Sequence, residues 1–378
     1  MKIVIAMDSF KGSLTSPEAG EAVKTGVLRA FPEAETVICP LADGGEGTAE
    51  ALTIGLHGEK IRITATGPLG EPVQCAYGIA GDLAVIEMAE AAGLTLVPAE
   101  KRNPLYTTTY GIGEMIRDAA ARGCRRFIVG IGGSATNDGG TGMLQALGFD
   151  LLDDTGTPIP QGAVGLQKLH SIETKRALPV LVHCSFRIAC DVENPLCGEK
   201  GCSAVYGPQK GAVPETIRQM DRWLRRYAEL TRSVFPESNA DFPGAGAAGG
   251  MGFAFSAFLG GKLESGIRIV MEETGLEEKI RSADLVVTGE GRMDEQTAMG
   301  KAPVGVARLA AKYGKPTVAF AGGIGRGARA CNEAGIAAFF PAVRGVTTLE
   351  EAMDPEQAKK NLADSVEQAF RMLKIHLA

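Results

Sequence analysis

Histidine is scarce, four in 378 residues, and none stands in a recognisable nucleophile pair with serine or cysteine. No G-x-S-x-G elbow is present, and the motif set of the protein kinases is missing. Gly261-Lys262, Gly300-Lys301 and Gly314-Lys315 are not followed by serine or threonine, so there is no P-loop. The eight cysteines include no C-x-x-C. The loose group Cys184, Cys190, Cys197 and Cys202 is spaced too irregularly for zinc, so reduced thiols in a cytoplasmic protein are expected. A basic excess is lacking too: 39 Lys and Arg face 45 Asp and Glu, for a net charge of −6. That argues against a nucleic-acid partner, though not against a small anion held by a few cations. The apolar run at residues 1–7 ends at Asp8, and residues 249–261 are Gly-rich and too short for a bilayer. Neither a secretion signal nor a membrane association is expected.

Glycine is abundant, 50 of 378 residues against a usual ~7%. Many of the glycines interrupt apolar runs beside Asp, Ser and Asn, as in tight turns and anion-binding loops. Residues 2–6 read as a buried strand. Ser16-Pro17-Glu18 then starts a helix, with Ser16 as its cap and Ala19, Val23, Val27 and Ala30 as its buried stripe. A strand at 36–39 runs into the loop 42–47, and 48–56 reads as helix. Near the other end, strands at 285–288, 317–321 and 337–341 alternate with helices, the last of which carries Leu362, Val366, Phe370 and Leu373. Such alternation implies a parallel sheet covered on both faces. The middle is meander-like, with strands near 61–65, 73–79 and 83–88, then a helix at 111–122 and a strand at 127–131. The expected architecture is α/β: a Rossmann-like domain from 1–64 and 284–378, and an inserted α/β domain with a mixed sheet from 65–283.

In a parallel sheet, ligands bind at the carboxyl ends of the strands. Four polar, Gly-rich segments fall there: 8–12, 43–46, 289–292 and 322–323. Their convergence on one rim marks an expected active site. The segment 130–140, Gly-Ile-Gly-Gly-Ser-Ala-Thr-Asn-Asp-Gly-Gly, follows a strand and opens a helix, which suits a phosphate or carboxylate. It also fits G-x-G-x-x-A, which leaves a dinucleotide-dependent dehydrogenase as an alternative. Asp8, Asp43, Glu46, Asp138, Asp191, Glu290 and Asp294 all lie in polar loops. A phosphoryl transferase needs carboxylates to hold Mg²⁺ and to accept the proton of the attacking hydroxyl. Capping of turns and helices is the other use of such residues.

The chain resembles the bacterial glycerate kinases in the segments 8–12, 42–48, 130–140, 190–196 and 246–252, and in Thr288-Gly289-Glu290-Gly291 with Asp294, Gln296 and Thr297. The resemblance runs from the first strand to the last. It implies a two-domain α/β fold, ATP and Mg²⁺ as co-substrate and cofactor, and D-glycerate as acceptor. The implied product is 2-phosphoglycerate, with 3-phosphoglycerate as the alternative, and the implied setting is glycolate, glyoxylate or glucarate breakdown. A homodimer is compatible with it. A non-catalytic sugar-phosphate-binding regulator would want a DNA-binding module, and no basic helix pair is present.

On this basis glycerate is expected in a cleft between the domains, its carboxylate held around Ser134, Thr136, Asn137 and Asp138, with Asp8, Ser9, Asn194 and Arg292 as further substrate or phosphate contacts. Gly44, Gly45, Gly289, Gly291, Gly322 and Gly323 are assigned to the nucleotide, and Asp43, Glu46 and Glu290 to the metal. Asp191 is the first choice of base and Asp294 the second. Lys11 and Arg292 would neutralise charge on the transferring group.

Overall fold

The computed structural model describes residues 1–377. Among them the strands are, in chain order, β1 (Lys2–Met7), β2 (Glu35–Ile38), β3 (Glu59–Thr66), β4 (Pro72–Ala80), β5 (Leu83–Glu87), β6 (Arg126–Gly130) and β7 (Asp150–Leu152). They continue with β8 (Ser171–Glu173), β9 (Ser185–Ala189), β10 (Lys262–Glu264), β11 (Leu285–Met293), β12 (Thr317–Ile324) and β13 (Ala338–Pro341). The chain divides into two compact units. One is Met1–Asp43, Ile54–His57 and Ile267–Ala378; the other is Gly44–Thr53 and Gly58–Gly266.

The first unit is built on a five-stranded sheet in the order β13-β12-β11-β1-β2, with every neighbouring pair parallel. Parallel strands covered on both faces read as continuous apolar runs, and Ile3 to Met7 are all buried. Alternate residues serve opposite faces. Ile3, Ile5, Val287 and Phe320 pack with the helices Ser16–Ala30 and Pro355–Leu377, whereas Ala319, Ala321 and Met293 pack with the helix Ala302–Ala311.

The sequence pointed to Ser16 as the cap of the first helix, but Thr15 takes that place. Its hydroxyl accepts from the N–H of Glu18, whose carboxylate accepts from the N–H of Thr15 at 2.9 Å, a reciprocal capping box. Ser16 is buried one position further in. It donates to the carbonyl of Met7 at 2.6 Å and accepts from the N–H of Leu41 at 2.8 Å. It therefore ties together the chain ends that carry Asp8 and Asp43.

The strands β11 and β12 run further than sequence patterning suggests. The expected loops at 289–292 and 322–323 lie inside them, paired through Met293↔Ile324. Glycine reads as a turn, but here it allows close approach: a Cβ on Gly289 would lie 1.8 Å from the Phe320 carbonyl oxygen.

The second unit holds a six-stranded mixed sheet in the order β10-β9-β6-β5-β4-β3. β3, β4 and β5 form the antiparallel meander, and β5, β6, β9 and β10 are parallel. A small antiparallel pair, β7 and β8, stands apart. The parallel strands end at Glu87, Gly130, Ala189 and Glu264, so the loops that follow β6 and β9 leave one edge side by side.

Candidate active site

In the first unit, the carboxyl edge of the sheet opens into a cleft of about 780 Å³. Its lining includes the charged and polar Asp8, Ser9, Lys11, Asp43, Glu290, Arg292 and Lys301, the glycines Gly291, Gly322 and Gly323, and the apolar Ile324, Val346, Leu349 and Met353. Of the site residues expected in this unit, the structure brings Asp8, Ser9, Lys11, Asp43, Glu290, Gly291, Arg292, Gly322 and Gly323 together. Gly289 lies beneath, its carbonyl accepting from the N–H of Asp8 at 2.9 Å.

The carboxylates crowd one another. Burial, and after it the charge of Asp43, pushes the Asp8 carboxyl up to about 7, against the pull of the Ser9 N–H. Burial also raises Glu290, although Thr297 donates to its Oε1 at 2.5 Å and Lys301 lies near. Burial works against the Lys11 ammonium, but Asp43, Asp8 and Glu290 outweigh it, so its pKa stands above the usual lysine value. Lys11 reaches Asp43 at 3.1 Å with 70% of its side chain exposed, a pair worth at most about 1 kcal/mol. Asp294 is committed locally: it caps the helix Glu295–Ala298, accepting from the Gln296 N–H at 3.0 Å, and its other oxygen lies 3.7 Å from Arg292.

The second unit carries the remaining candidates. Gly44, Gly45 and Glu46 belong here rather than to the cleft. Gly44 has φ of 92°, and a Cβ there would come within 2.8 Å of Ala189 Cβ and 2.9 Å of Gly266 Cα. The segment is held down by Glu87, a residue sequence reasoning missed. Its buried carboxylate accepts from the N–H groups of Ala49 (2.7 Å) and Gly47. Burial pushes Glu87 up to about 7, against those two bonds. Its signal in the sequence was a carboxylate closing an otherwise apolar strand, Leu-Ala-Val-Ile-Glu.

The 130–140 loop differs from its sequence-level picture. The helix it opens, Thr141–Ala146, has six residues, and the protein's own Asp138 takes its N-terminal amides. Asp138 accepts from Gly140 N (3.0 Å), Gly142 N (3.3 Å), Thr109 N (2.9 Å) and Thr109 Oγ1 (2.8 Å). Thr136, Asn137 and Asp138 are fully buried. Asn137 donates to Ser203 Oγ at 2.8 Å, while its Oδ1 and Thr136 Oγ1 find no partner among the described residues. These polar residues anchor the loop internally. Only Gly132 and Gly133 are exposed at its tip, with Ser134 just beneath.

After β9, Asp191 is exposed at the same sheet edge as the 130–134 turn, since Gly130 pairs with Ala189. Asn194 is tied within its own loop, donating to the Lys200 carbonyl (2.8 Å) and accepting from Tyr206 OH (2.6 Å).

Comparison with known proteins places this architecture. The model of the glycerate kinase family matches residues 3–374. The chain is 49% identical over 354 residues to the glycerate 2-kinase of Escherichia coli strain K12, covering 93% of each chain. It is 48% identical to a glycerate kinase of Halalkalibacterium halodurans, over 96% of this chain and 97% of that one. A crystal structure from Salmonella typhimurium LT2, provisionally named glycerate kinase 2, superposes with a TM-score of 0.92 at 45% identity, covering 100% of this chain and 99% of the other.

Proposed function

Since the chain belongs to the glycerate kinase family and is an ATP-dependent kinase, we propose that it transfers the γ-phosphate of ATP to the 2-hydroxyl of D-glycerate in the cytoplasm. The carrying observation is the near-full-length likeness to a glycerate 2-kinase, joined to a cleft whose cationic lining residues suit polyphosphate. No described helix is long and apolar enough to cross a membrane.

The nucleotide is assigned to the first-unit cleft. Its apolar lining residues Val346, Leu349 and Met353 suit a base, and Lys11, Arg292 and Lys301 suit the phosphates. The cleft also fits Mg²⁺. Asp8, Asp43 and Glu290 are hard oxygen donors whose mutual repulsion a divalent cation would relieve. No three His, Cys, Asp or Glu among the described residues form a ready-made cage, which suits an ion that keeps waters and takes phosphate oxygens. When bound, the ion supplies charge neutralisation to the phosphates. Glu46, at the edge of the second unit, is not needed for that shell.

The acceptor is assigned to the second unit, at the edge shared by the 130–134 turn and Asp191. Asp191 is exposed there and is the proposed base; it takes the proton of the attacking hydroxyl. Asp294, engaged as a helix cap, is the weaker choice. Lys11 and Arg292 have exposed side chains that can turn to the transferring group.

ADP release over a panel of small hydroxy acids tests the assignment. D-glycerate should be the preferred acceptor, and chelation with EDTA should abolish turnover. ADP release that ignores D-glycerate, or that persists in EDTA, would overturn it.

A further inference from the structure

Lys210 is a charged residue placed where charge is costly. It is 2% exposed and follows Pro208 and Gln209 in a single helical turn. Its ammonium donates to Ser134 Oγ at 2.8 Å and to the carbonyl of Thr136 at 2.6 Å. No carboxylate lies within ion-pair distance among the described residues. The titratable neighbours that face it are Asp138 and Cys202. Asp138 spends its oxygens on four donors of the loop, and burial pushes the Cys202 thiol up to about 11, so it is neutral at ordinary pH. A buried cation without a counter-ion is unfavourable unless something compensates it.

The compensation can come from directly above. Ser134 separates Lys210 from the exposed tip of the turn. No described residue accepts from the N–H groups of Gly132 or Gly133. Two unclaimed amides, a hydroxyl that accepts from a lysine and so can turn its own proton away from it, and a nearby buried positive charge are the components an anion site needs.

We propose that Lys210 is a positioning residue for the acceptor substrate: it orients Ser134 and supplies the buried charge that holds the carboxylate of a small hydroxy acid on the amides of Gly132 and Gly133. The proposal rests on the acceptor being assigned to this edge. It keeps Ser134, replaces Thr136, Asn137 and Asp138 with Gly132 and Gly133 as the contacting residues, and leaves the nucleotide cleft untouched.

Burial pulls the Lys210 ammonium down to about 8, against the charge of Asp138. An anion binds the protonated form, so affinity for the acid should fall as pH rises through that range.

The test is steady-state kinetics with D-glycerate and ATP at pH 7 and pH 9, for the wild type, Lys210→Met and Ser134→Ala, with melting curves of each. Lys210→Met keeps the length of the side chain and removes the buried charge, so it should fold. The wild type should show KM for D-glycerate rising about tenfold between the two pH values. In Lys210→Met that KM should be raised about 10–100-fold at pH 7 and be independent of pH, with KM for ATP within twofold of wild type. Ser134→Ala should raise it less and keep the pH dependence. If Lys210→Met leaves KM for D-glycerate and its pH dependence unchanged, or raises both KM values equally while lowering Tm, the proposal fails. A wild type that turns over ATP without responding to D-glycerate would instead bring down the functional assignment itself.

Discussion

Replacing Asp8 with asparagine should stabilise the protein, and by more at pH 8 than at pH 5. The carboxyl of Asp8 is pushed from 3.8 to about 7, first by burial and then by Asp43. The folded chain therefore holds a proton that the unfolded chain has already released. Stability is lost as pH rises from about 4 to 7 and is flat beyond that. A shift of about three units, at about 1.4 kcal/mol each, sets a ceiling of about 4 kcal/mol on the cost of ionising Asp8 in the folded state. Roughly 60% of that cost is incurred between pH 5 and pH 8. The substituted amide would not titrate, and its oxygen can still accept from the Ser9 N–H, which reaches Asp8 at 2.7 Å. The variant's advantage should thus grow by about 2.5 kcal/mol between the two pH values, or roughly 5–10 °C in Tm for a unit of this size. Melting curves in EDTA, free of nucleotide, read this directly. An equal Tm difference at both pH values, or a variant less stable than wild type at pH 8, would show that the cleft does not destabilise the ionised carboxylate.

Further expectations follow from the same geometry. Asp191→Asn should lower kcat by about 10²–10⁴-fold; a loss of less than tenfold in a folded variant would remove Asp191 as the base. Lys11→Met should raise KM for ATP while changing stability by less than about 1 kcal/mol, because its ion pair with Asp43 is exposed; equal KM values would place the phosphates elsewhere. Gly44→Ala should lower Tm, since its φ of 92° and the contacts at Ala189 and Gly266 leave no room for a methyl group; an unchanged Tm and kcat would show that the segment tolerates a shift.

Much of this was legible before any coordinates. Apolar runs bounded by glycine and carboxylate marked the parallel strands of the first unit, and the rule that ligands meet strand ends brought Asp8, Asp43 and Glu290 to one rim. What could not be read depends on burial, which only the tertiary fold sets. Thr136, Asn137 and Asp138 look like ligands as a polar string, yet they are the inner scaffold of their loop. Lys210 lies 76 residues from Ser134 along the chain, and nothing local marks it as buried. Gly289 and Gly322 read as turns because sequence does not distinguish a bend from a close approach. Thr15 and Ser16 are equally good caps by residue type, and burial of Ser16 between Met7 and Leu41 decided between them. Glu87 was readable as a carboxylate ending an apolar strand, but its partners at Gly47 and Ala49 are set by long-range packing.

Transfer to the 2-hydroxyl rather than the 3-hydroxyl is read from the proton-coupled ³¹P spectrum of the product made from D-glycerate and Mg²⁺-ATP. Carbon 2 of glycerate bears one hydrogen and carbon 3 bears two. A phosphomonoester doublet, growing in step with ADP, is the predicted result. A triplet would place the phosphate on the terminal hydroxyl, and inorganic phosphate alone would mean that no transfer to the acid takes place.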